Sequence, residues 1–528
     1  MEAGPLYTFD TAWYYPCFSS VSPSFAGGIL FREGRICGVV AAPTARKMER
    51  ALRQALRRSS TVELRLDYLR SAKERKAFLS KLGRLHPRAT MIATCRSRRG
   101  GGLFSGSPAA QRDVLIAAVN AGCQWCDVEI EALARWPQRQ LKSDLRPARI
   151  LLSYHDFRRT PPDLNGIARK LEHASHDAIK IATHCREIRD AARVLELARG
   201  RRDRVIVPMG EMGVAARILA LRAGSALAYA PLALATAPGQ TSLDDLDELY
   251  RADKLTRRTR VYGVIGDPIA HSLSPLMQNR AFQSCHIDAV YVPFRVLDLR
   301  DFAGAIAPLD ISGFSVTLPH KEEILRHVDD CDPLAREIGA VNTVVVRSGG
   351  SLYGYNTDYV AVLRAVERRV RLAGSRVLLL GAGGAARAAA FALARAGAIV
   401  SICARRPQRA VLLARAVGGE AIARKRVRGQ FFDAIVNCTP LGLRPGDASP
   451  LSAAELNCRI VMDMIYRPRV TKFLQLAKQK GIETITGVDM FVAQGAAQWE
   501  IWTGLRAPEA AMRTAVEGAL AREERARR

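Results

Sequence analysis

The sequence predicts an α/β protein with an N-terminal (β/α)₈ barrel followed by two smaller α/β units. Between Arg35 and Ala230, eight short apolar runs occur at spacings that leave room for a helix between most pairs. Buried parallel strands read as continuous apolar runs, as these segments do. A second strand-and-helix pattern begins at Val261, and a third contains a strand, a glycine-rich turn and an alanine-rich helix from Arg376 to Arg387.

The eight apolar runs are the predicted barrel strands. In a barrel of this kind the chemistry lies at the C-terminal ends of the strands, so the residues that end each run are candidate site residues. The predicted strands are Ile36–Ala41, Thr61–Leu66, Thr90–Cys95, Trp125–Ile130, Arg149–Tyr154, Ala178–Ala182, Arg204–Pro208 and Ala226–Ala230.

The chain of 528 residues is predicted to contain three domains and two terminal segments. The polar stretch from Asp244 to Arg260 is predicted to act as a linker between the two halves. The predicted segments are an extension of unknown role (1–34), the barrel (35–250), a second α/β domain (258–365), a third (366–490) and C-terminal helices that return to the second domain (491–528).

Composition excludes several classes of protein. The apolar fraction of 48% and charged fraction of 25% are ordinary for a globular protein. The sequence contains no run of 18 apolar residues, so no membrane span is predicted. Lys and Arg number 79 against 51 Asp and Glu, which gives a net charge of +28. This charge is scattered and aromatic residues make up only 6%, so we expect small anionic substrates rather than nucleic acid as partners. The oligomeric state stays open.

The 11 cysteines are spread through the chain. Cys123 and Cys126 form a CxxC pair, but no second pair completes a zinc site, so no metal is predicted. Residues 1–34 lack the features of a signal peptide and are not the Arg-rich, acid-poor leader of an organelle import sequence. We therefore expect a cytoplasmic protein with reduced thiols, and a bacterial rather than a plastid one.

Charged and polar side chains at or just after the barrel strand ends need a partner or a function. Lys180 lies among β-branched and small apolar residues, where a desolvated amine can serve as a Schiff-base nucleophile; the alternative is a lysine that reaches solvent at the barrel rim. His155 can act as its acid/base or be an ordinary rim histidine. The arginines can clamp a carboxylate or form surface salt bridges. The six charged or polar residues at or just after the predicted strand ends are Glu63, Arg65, Arg96, His155, Lys180 and Arg217.

Five stretches closely resemble type I 3-dehydroquinate dehydratase over about residues 36–250. They are Ile36-Cys-Gly-Val-Val-Ala-Ala-Pro-Thr44, Val62-Glu-Leu-Arg-Leu-Asp-Tyr68, Ile179-Lys-Ile-Ala-Thr183, Pro208-Met-Gly210 and Ala237-Pro-Gly-Gln240. The resemblance implies that Lys180 forms an imine with the substrate ketone and that His155 moves the protons. It also implies that the substrate carboxylate and hydroxyls are held by Glu63, Arg65, Arg96, Arg217, Thr236 and Gln240.

One position departs from that family. The family usually has Arg-x-x-x-Glu-Gly-Gly after the third strand, whereas Arg96-Ser-Arg-Arg-Gly-Gly-Gly102 places Gly100 at the glutamate. That glutamate is thought to orient the catalytic histidine. We therefore expect His155 to be a weaker base unless Glu129 or Asp156 replaces the missing acid, and Gly100→Glu is predicted to raise turnover.

The C-terminal half contains a candidate dinucleotide loop. Gly381-Ala-Gly-Gly-Ala-Ala386 follows four strand-forming residues, and glycines there let backbone N–H groups approach a pyrophosphate at a helix N-terminus; a simple tight turn is the alternative. The next predicted strand ends in Ala404-Arg-Arg406 rather than an acid. Basic residues at this place favour NADP over NAD because they suit a ribose 2′-phosphate.

Six ordered blocks over about residues 261–510 resemble shikimate dehydrogenase. They are Gly263-Val-Ile-Gly-Asp-Pro-Ile-Ala-His-Ser-Leu-Ser-Pro275, Ser315-Val-Thr-Leu-Pro-His-Lys321, Gly354-Tyr-Asn-Thr-Asp358, Asn437-Cys-Thr-Pro-Leu-Gly442, Asp463-Met-Ile-Tyr-Arg-Pro468 and Gly487-Val-Asp-Met-Phe-Val-Ala-Gln494. Without that context, Lys321 would read as a surface lysine and Asp358 as an N-cap. Ser315 and Ala404 each stand where the family usually has Asn.

The resemblance implies a substrate domain followed by a Rossmann-like NADP-binding domain, with Lys321 and Asp358 as the catalytic pair. Substrate contacts are implied for Ser272, Ser274, Thr317, Asn342, Tyr466 and Gln494. Cofactor contacts are implied for Gly381, Gly383, Gly384, Ala385, Arg405, Arg406, Thr439 and Gly487.

Both halves point to adjacent steps of the shikimate pathway. The predicted function is dehydration of 3-dehydroquinate through a Schiff base, followed by NADPH-dependent reduction of 3-dehydroshikimate to shikimate. One alternative is a sensor or regulator that keeps the folds without turnover, which only Gly100 favours. Another is a dehydrogenase that acts on quinate-type substrates with NAD and has a weakened dehydratase half. Arg405 and Arg406 disfavour this alternative.

Overall fold

The structure is a computed structural model and describes residue 31 and residues 34–85, 88–232, 240–444 and 446–527. The prediction for residues 1–34 therefore lies almost wholly outside the described residues, as does that for Thr236. No helix in the described part of the chain is both long and apolar enough to cross a bilayer.

Eight parallel strands form the N-terminal barrel, and all eight predicted strands are confirmed within a few residues. The hydrogen-bonded order runs from β7 down to β1 and on to β8. The barrel is nearly closed, because the amide of Ala226, just before β8, donates to the carbonyl of Arg204 in β7 over 2.8 Å. The strands are β1 (Ile36–Val40), β2 (Thr61–Arg65), β3 (Thr90–Thr94), β4 (Trp125–Glu129), β5 (Arg149–Asp156), β6 (Ala178–His184), β7 (Arg204–Met209) and β8 (Ala228–Pro231).

Seven helices among the described residues surround the barrel, and the third of them begins at a capping side chain. Ser107 accepts a hydrogen bond from the Ala110 amide over 3.2 Å, and Pro108 occupies the first helical position of α3. The helices are α1 (Ala45–Ala55), α2 (Ala72–Leu85), α3 (Pro108–Asn120), α4 (Gln138–Asp144), α5 (Leu164–Glu172), α6 (Ile188–Glu196) and α7 (Val214–Ala223).

The second unit is a six-stranded mixed sheet in the order β10-β9-β11-β13-β14-β12. Strand β13 runs antiparallel to β11 and β14, whereas the other pairs are parallel. Its elements are β9 (Arg260–Gly266), α8 (Ser274–Ser284), β10 (Ala289–Arg295), α9 (Leu299–Ile306), β11 (Ile311–Val316), β12 (Asp330–Cys331), α10 (Pro333–Ile338), β13 (Thr343–Val346), β14 (Leu352–Tyr355) and α11 (Thr357–Glu367).

The third unit is an all-parallel sheet in the order β17-β16-β15-β18-β19-β20. The chain then returns to the second unit: α15 packs on α11, and α16 packs on α8. The elements are β15 (Arg376–Leu380), α12 (Gly384–Arg395), β16 (Ile399–Cys403), α13 (Pro407–Ala416), β17 (Glu420–Ala421), β18 (Phe432–Asn437), β19 (Cys458–Asp463), α14 (Lys472–Gln479), β20 (Glu483–Ile485), α15 (Gly487–Thr503) and α16 (Glu509–Arg527).

The segment from Asp244 to Arg260 is not the exposed linker that its polar composition predicted. Leu246, Tyr250, Ala252 and Leu255 are buried in an apolar core that continues from the barrel into the second unit. Most polar residues of this segment are exposed, although Thr259 is buried, while the apolar ones, spaced along short helical turns, face inward. The barrel and the second unit therefore share a packed interface.

Candidate active sites

One cavity at the C-terminal end of the barrel brings together the residues predicted there. It is lined by Glu63, Arg65, Arg96, His155, Lys180, Arg217 and Gln240. Four lie in strands and Arg96 lies two residues after β3, but Arg217 lies in the first turn of α7 rather than at a strand end. Thr236 belongs to a segment outside the described residues.

Lys180 is 5% exposed, so it is not a lysine that reaches solvent at the rim. Its Nζ lies 3.3 Å from Glu63 Oε1 and 3.1 Å from Asp127 Oδ2. The same nitrogen lies 3.9 Å from the centroid of the Tyr229 ring. Three strands thus hold one amine at a single point in the cavity.

Asp127 was missed by sequence reasoning, although it is central to the site. Its Oδ2 accepts from Arg96 Nη2 over 2.7 Å as well as from Lys180, and its Oδ1 accepts from Ser153 Oγ over 2.6 Å. Burial alone would raise the pKa of this carboxyl, but the charges of Arg96 and Lys180 outweigh burial and hold the pKa well below its usual range. A charged residue inside a buried barrel strand was the available signal.

His155 faces a cation rather than a carboxylate. Arg96 Nη1 lies 3.2 Å from His155 Nδ1, and because a guanidinium can only donate, Nδ1 accepts and the ring proton is assigned to Nε2. Desolvation in the cavity, together with the charges of Arg96 and Lys180, holds the pKa of His155 well below its usual value. His155 is therefore a neutral imidazole near neutral pH.

Neither carboxylate suggested as a partner for His155 serves in that way. Glu129 accepts from the Ser97 amide over 3.0 Å and from Gln111 Nε2 over 2.7 Å. Asp156 Oδ1 accepts from the backbone amides of residues 158 and 159. A Cβ added at Gly100 would collide with the Glu129 carboxylate, so the space of the missing family side chain is already filled.

Two further arginines of the cavity, Arg65 and Arg217, differ in how their charges are balanced. Arg65 forms a bidentate pair with Asp67 at 3.0 and 2.9 Å. Arg217 is 6% exposed, its Nε donates to the carbonyl of Pro208, and its buried Nη1 has no hydrogen-bond partner in the described part of the chain. Burial lowers the pKa of Arg217 to about 10. An anion in the cavity would balance this charge.

The second candidate site centres on Lys321 and Asp358. Lys321 Nζ lies 2.5 Å from Asp358 Oδ2, and the Asp358 side chain is almost fully buried. Asp358 is held at the start of α11, where the Asn356 side chain accepts from its amide over 3.1 Å. The predicted catalytic pair is thus in direct contact, and the N-cap of α11 is Asn356 rather than Asp358.

The predicted substrate contacts form two groups, one of which adjoins this pair. Asn342 is 1% exposed and binds Thr357, next to Asp358, through its side chain. Tyr466 bonds to the Leu273 backbone, between Ser272 and Ser274, and stacks on Phe491 with ring centroids 4.3 Å apart. Gln494 Nε2 donates to the Phe491 carbonyl over 2.9 Å. Thr317 follows β11, four residues before Lys321.

The glycine-rich turn lies beside the Lys321 loop. Gly381 has a φ of +114°, which favours glycine, and Gly383 is the N-cap of α12 with open space where a Cβ would stand. A Cβ at Gly384 would lie 3.8 Å from the Cβ of Lys321. Ala385 continues α12, and the Thr439 side chain lies against Gly381.

Two further predicted cofactor sites differ in character. Arg405 and Arg406 follow β16 and are exposed, with Arg406 as the N-cap of α13. Gly487 instead lies so close to the backbone of Ile465 and Tyr466 that any side chain there would collide with it. Gly487 therefore allows α15 to approach the loop that carries Tyr466.

Comparisons with known protein families match each half of the chain to the family that its sequence resembles. The family model described as type I 3-dehydroquinase matches residues 36–257. The shikimate dehydrogenase substrate binding domain matches residues 264–344, and the shikimate 5′-dehydrogenase C-terminal domain matches residues 487–517.

Sequence relatives give the same result. A bifunctional 3-dehydroquinate dehydratase/shikimate dehydrogenase, chloroplastic, from Arabidopsis thaliana is 35% identical over 476 residues, covering 85% of this chain and 78% of that protein. A shikimate dehydrogenase (NADP(+)) from Symbiobacterium thermophilum is 43% identical over 283 residues, covering 49% of this chain and 95% of that one. The shikimate 5-dehydrogenase structure from Thermus thermophilus with NADP(H) and shikimate is 39% identical, covers 49% of this chain and 100% of that one, and has a TM-score of 0.47. With both parts present in one polypeptide, this chain belongs to the family of bifunctional 3-dehydroquinate dehydratase/shikimate dehydrogenases.

Proposed function

We propose that the barrel cavity dehydrates 3-dehydroquinate and that the Lys321–Asp358 site reduces the product to shikimate with NADPH. The observation that carries this assignment is the barrel cavity, which combines a buried amine at Lys180 with an unbalanced cation at Arg217. An amine can bond to the substrate ketone, and the guanidinium suits its carboxylate. The net charge of +28 also suits small anionic substrates.

The dehydration begins at Lys180. Its nitrogen gives up a proton and attacks the ketone carbon, the ketone oxygen leaves as water, and a protonated imine remains. His155 then removes a proton from the neighbouring carbon while the electron pair moves toward the imine nitrogen. The hydroxyl on the next carbon takes up a proton and leaves as water, and hydrolysis of the imine frees the product and Lys180.

Arg96 controls when His155 can act. In the free enzyme its Nη1 donates to His155 Nδ1, the ring atom that has a lone pair to accept a proton. An anionic substrate oxygen that accepts the hydrogen bond from Arg96 Nη1 in place of His155 frees this lone pair. Asp127 meanwhile holds both Arg96 and Lys180 in place. This arrangement links substrate binding to the availability of the base.

The reduction relies on this chain's own residues for binding and proton transfer, and NADPH, when bound, supplies the hydride. The open α12 N-terminus at Gly383 suits a pyrophosphate, and the exposed Arg405 and Arg406 suit a 2′-phosphate. Lys321 donates a proton to the substrate carbonyl oxygen as the alcohol forms. Asp358, 2.5 Å from Lys321, orients it and passes protons to and from it.

Borohydride trapping tests the dehydratase assignment. Borohydride added with 3-dehydroquinate is expected to inactivate the dehydratase and to attach substrate mass to the peptide that contains Lys180. The dehydrogenase should survive, because its site forms no imine. Attachment to another peptide, or full activity without attachment, contradicts the assignment. A coupled assay with 3-dehydroquinate and NADPH then checks both sites together, and a flat trace with a live dehydrogenase points to a barrel without turnover.

We also propose a cytoplasmic location. The support is the state of the cysteines: ten are free thiols among the described residues, and five of them lie in or beside barrel strands as buried packing residues. Fractionation of the native host, with both activities assayed in each compartment, tests this proposal. Activity confined to an organelle or to the periplasm would contradict it.

A further inference from the structure

Tyr229 is the third side chain that contacts the Lys180 nitrogen, after the carboxylates of Glu63 and Asp127. It is uncharged and contacts the nitrogen through its aromatic ring. It lies in β8 and lines the dehydratase cavity. Lys180 Nζ is 3.9 Å from the centre of its ring, well within the distance at which a cation is attracted to an aromatic face. The phenol is 8% exposed, so this attraction acts with little competition from water.

The hydroxyl of Tyr229 has no hydrogen-bond partner among the residues that the structure describes, although it is buried. Buried tyrosine hydroxyls usually find a partner, since leaving one unsatisfied costs free energy. Burial also raises the pKa of Tyr229 well above its usual value, so the group stays a neutral O–H donor. A phenol in such a place is suited to a ligand that supplies the missing acceptor.

The number of N–H donors on Lys180 changes during the proposed reaction. An ammonium has three N–H groups and can serve Glu63 and Asp127 together, as it does in the free enzyme. A protonated imine has one N–H group, so it can bond to only one of these carboxylates at a time. Attraction between the positive charge and a ring face does not depend on the number of N–H groups. The ring contact therefore persists when one carboxylate contact is lost.

We propose that Tyr229 is a further catalytic residue of the dehydratase, whose ring stabilises the cationic imine on Lys180 and whose hydroxyl donates a hydrogen bond to an oxygen of the bound substrate. The inference rests on the proposed imine at Lys180. The ring acts in the steps in which the imine nitrogen of Lys180 carries a positive charge, and the hydroxyl acts in substrate binding. The two roles are separable, because phenylalanine keeps the ring and methionine removes it.

Three variants test the two roles. Tyr229→Phe removes only the hydroxyl, Tyr229→Met removes the ring while keeping an apolar filler, and Tyr250→Phe is the control. Tyr250 is equally buried, at 8% exposed, but does not line the cavity. The readouts are kcat and KM for dehydration and the fraction of chain labelled by borohydride at saturating 3-dehydroquinate. Dehydrogenase activity of the same chain reports folding, with Tyr229→Leu as a second ring-free variant if Tyr229→Met is unstable.

The two roles predict different patterns. Tyr229→Phe should raise KM about tenfold and leave kcat within about twofold, because a bond made equally in ground and transition states changes only binding. Tyr229→Met should in addition lower kcat about tenfold and reduce the borohydride-labelled fraction. Tyr250→Phe should match the unaltered protein in all readouts.

Each contrary result has a distinct meaning. An unchanged KM in Tyr229→Phe overturns the hydroxyl contact. Equal kcat and equal labelling in the Phe and Met variants overturn the role of the ring. If the unaltered protein turns over 3-dehydroquinate without any labelling of Lys180, the proposed imine itself fails, whatever the variants do.

Discussion

Arg96 Nη1 lies 3.2 Å from His155 Nδ1, so the proposed base of the dehydratase faces a guanidinium in the free enzyme. Burial and the charges of Arg96 and Lys180 lower the pKa of His155 well below its usual value near 6.5. The neutral ring, which is the active base, thus persists as pH falls below about 6.5. We expect the acid limb of kcat/KM, which reports the free enzyme, to lie below that pH.

Arg96→Gln provides the matched test, since it removes one of the two cations while keeping a hydrogen-bond donor. The pKa of His155 should rise, so the acid limb of kcat/KM should move to higher pH. The absolute rate should fall as well, because Arg96 also binds Asp127 and the proposed substrate. An acid limb at the same pH in both proteins would show that Arg96 does not control His155.

Gly100→Glu is expected to lower dehydratase turnover, contrary to the expectation from the sequence alone. A Cβ at Gly100 collides with the Glu129 carboxylate and comes within 3.2 Å of Arg96 Cδ. Glu129 would have to leave Ser97 and Gln111, and two carboxylates would then compete for one space. Steady-state kinetics of Gly100→Ala and Gly100→Glu measure this effect. A gain in kcat for Gly100→Glu would restore the missing-acid explanation.

The difference between these two expectations shows what a motif can and cannot predict. Charged residues within an apolar run, such as Glu63 and Lys180, were predictable as site residues because a barrel strand buries its side chains and a buried charge needs a partner or a function. Asp127 carried a local signal, a charge inside a buried strand, that sequence reasoning did not use. Tyr229 matters through contacts across the barrel, and no local pattern encodes those contacts. Glu129 fills the space beside Gly100 from a neighbouring strand, which a one-dimensional motif comparison cannot detect.

Arg405→Ala should weaken NADPH binding far more than NADH binding, because only NADPH carries the 2′-phosphate. Loss of a charged hydrogen bond costs about 1.5–3 kcal/mol, or roughly tenfold to a hundredfold in KM for NADPH. Arg415→Ala removes an equally exposed arginine from the last turn of α13 and should leave both constants unchanged. Equal losses of NADPH and NADH affinity in Arg405→Ala would contradict a contact with the 2′-phosphate.

Asp301 in α9 should stabilise the barrel from the neighbouring domain. It accepts from the Ile188 amide over 2.6 Å and from the Arg189 amide over 3.1 Å, the first two amides of α6, whereas Glu187 at the N-cap provides no side-chain bond. The linker predicted from the sequence over Asp244–Arg260 implies halves that fold separately when divided near residue 255. A division near residue 255 separates Asp301 from the barrel helix that it caps and exposes the buried Leu255. We therefore expect the isolated halves to be less stable than the intact chain.

Asp301→Ala tests this interface without cutting the chain. Loss of a helix cap costs about 0.5–2 kcal/mol, so the first denaturant-induced transition of the barrel should occur at lower denaturant concentration. Dehydratase and dehydrogenase activities in buffer should persist, because Asp301 lines neither candidate site. Glu196→Ala, at an exposed ion pair at the other end of α6, is the matched control and should change the midpoint little. An unchanged midpoint in Asp301→Ala, or separate halves as stable as the intact chain, would show that α6 does not depend on the neighbouring domain.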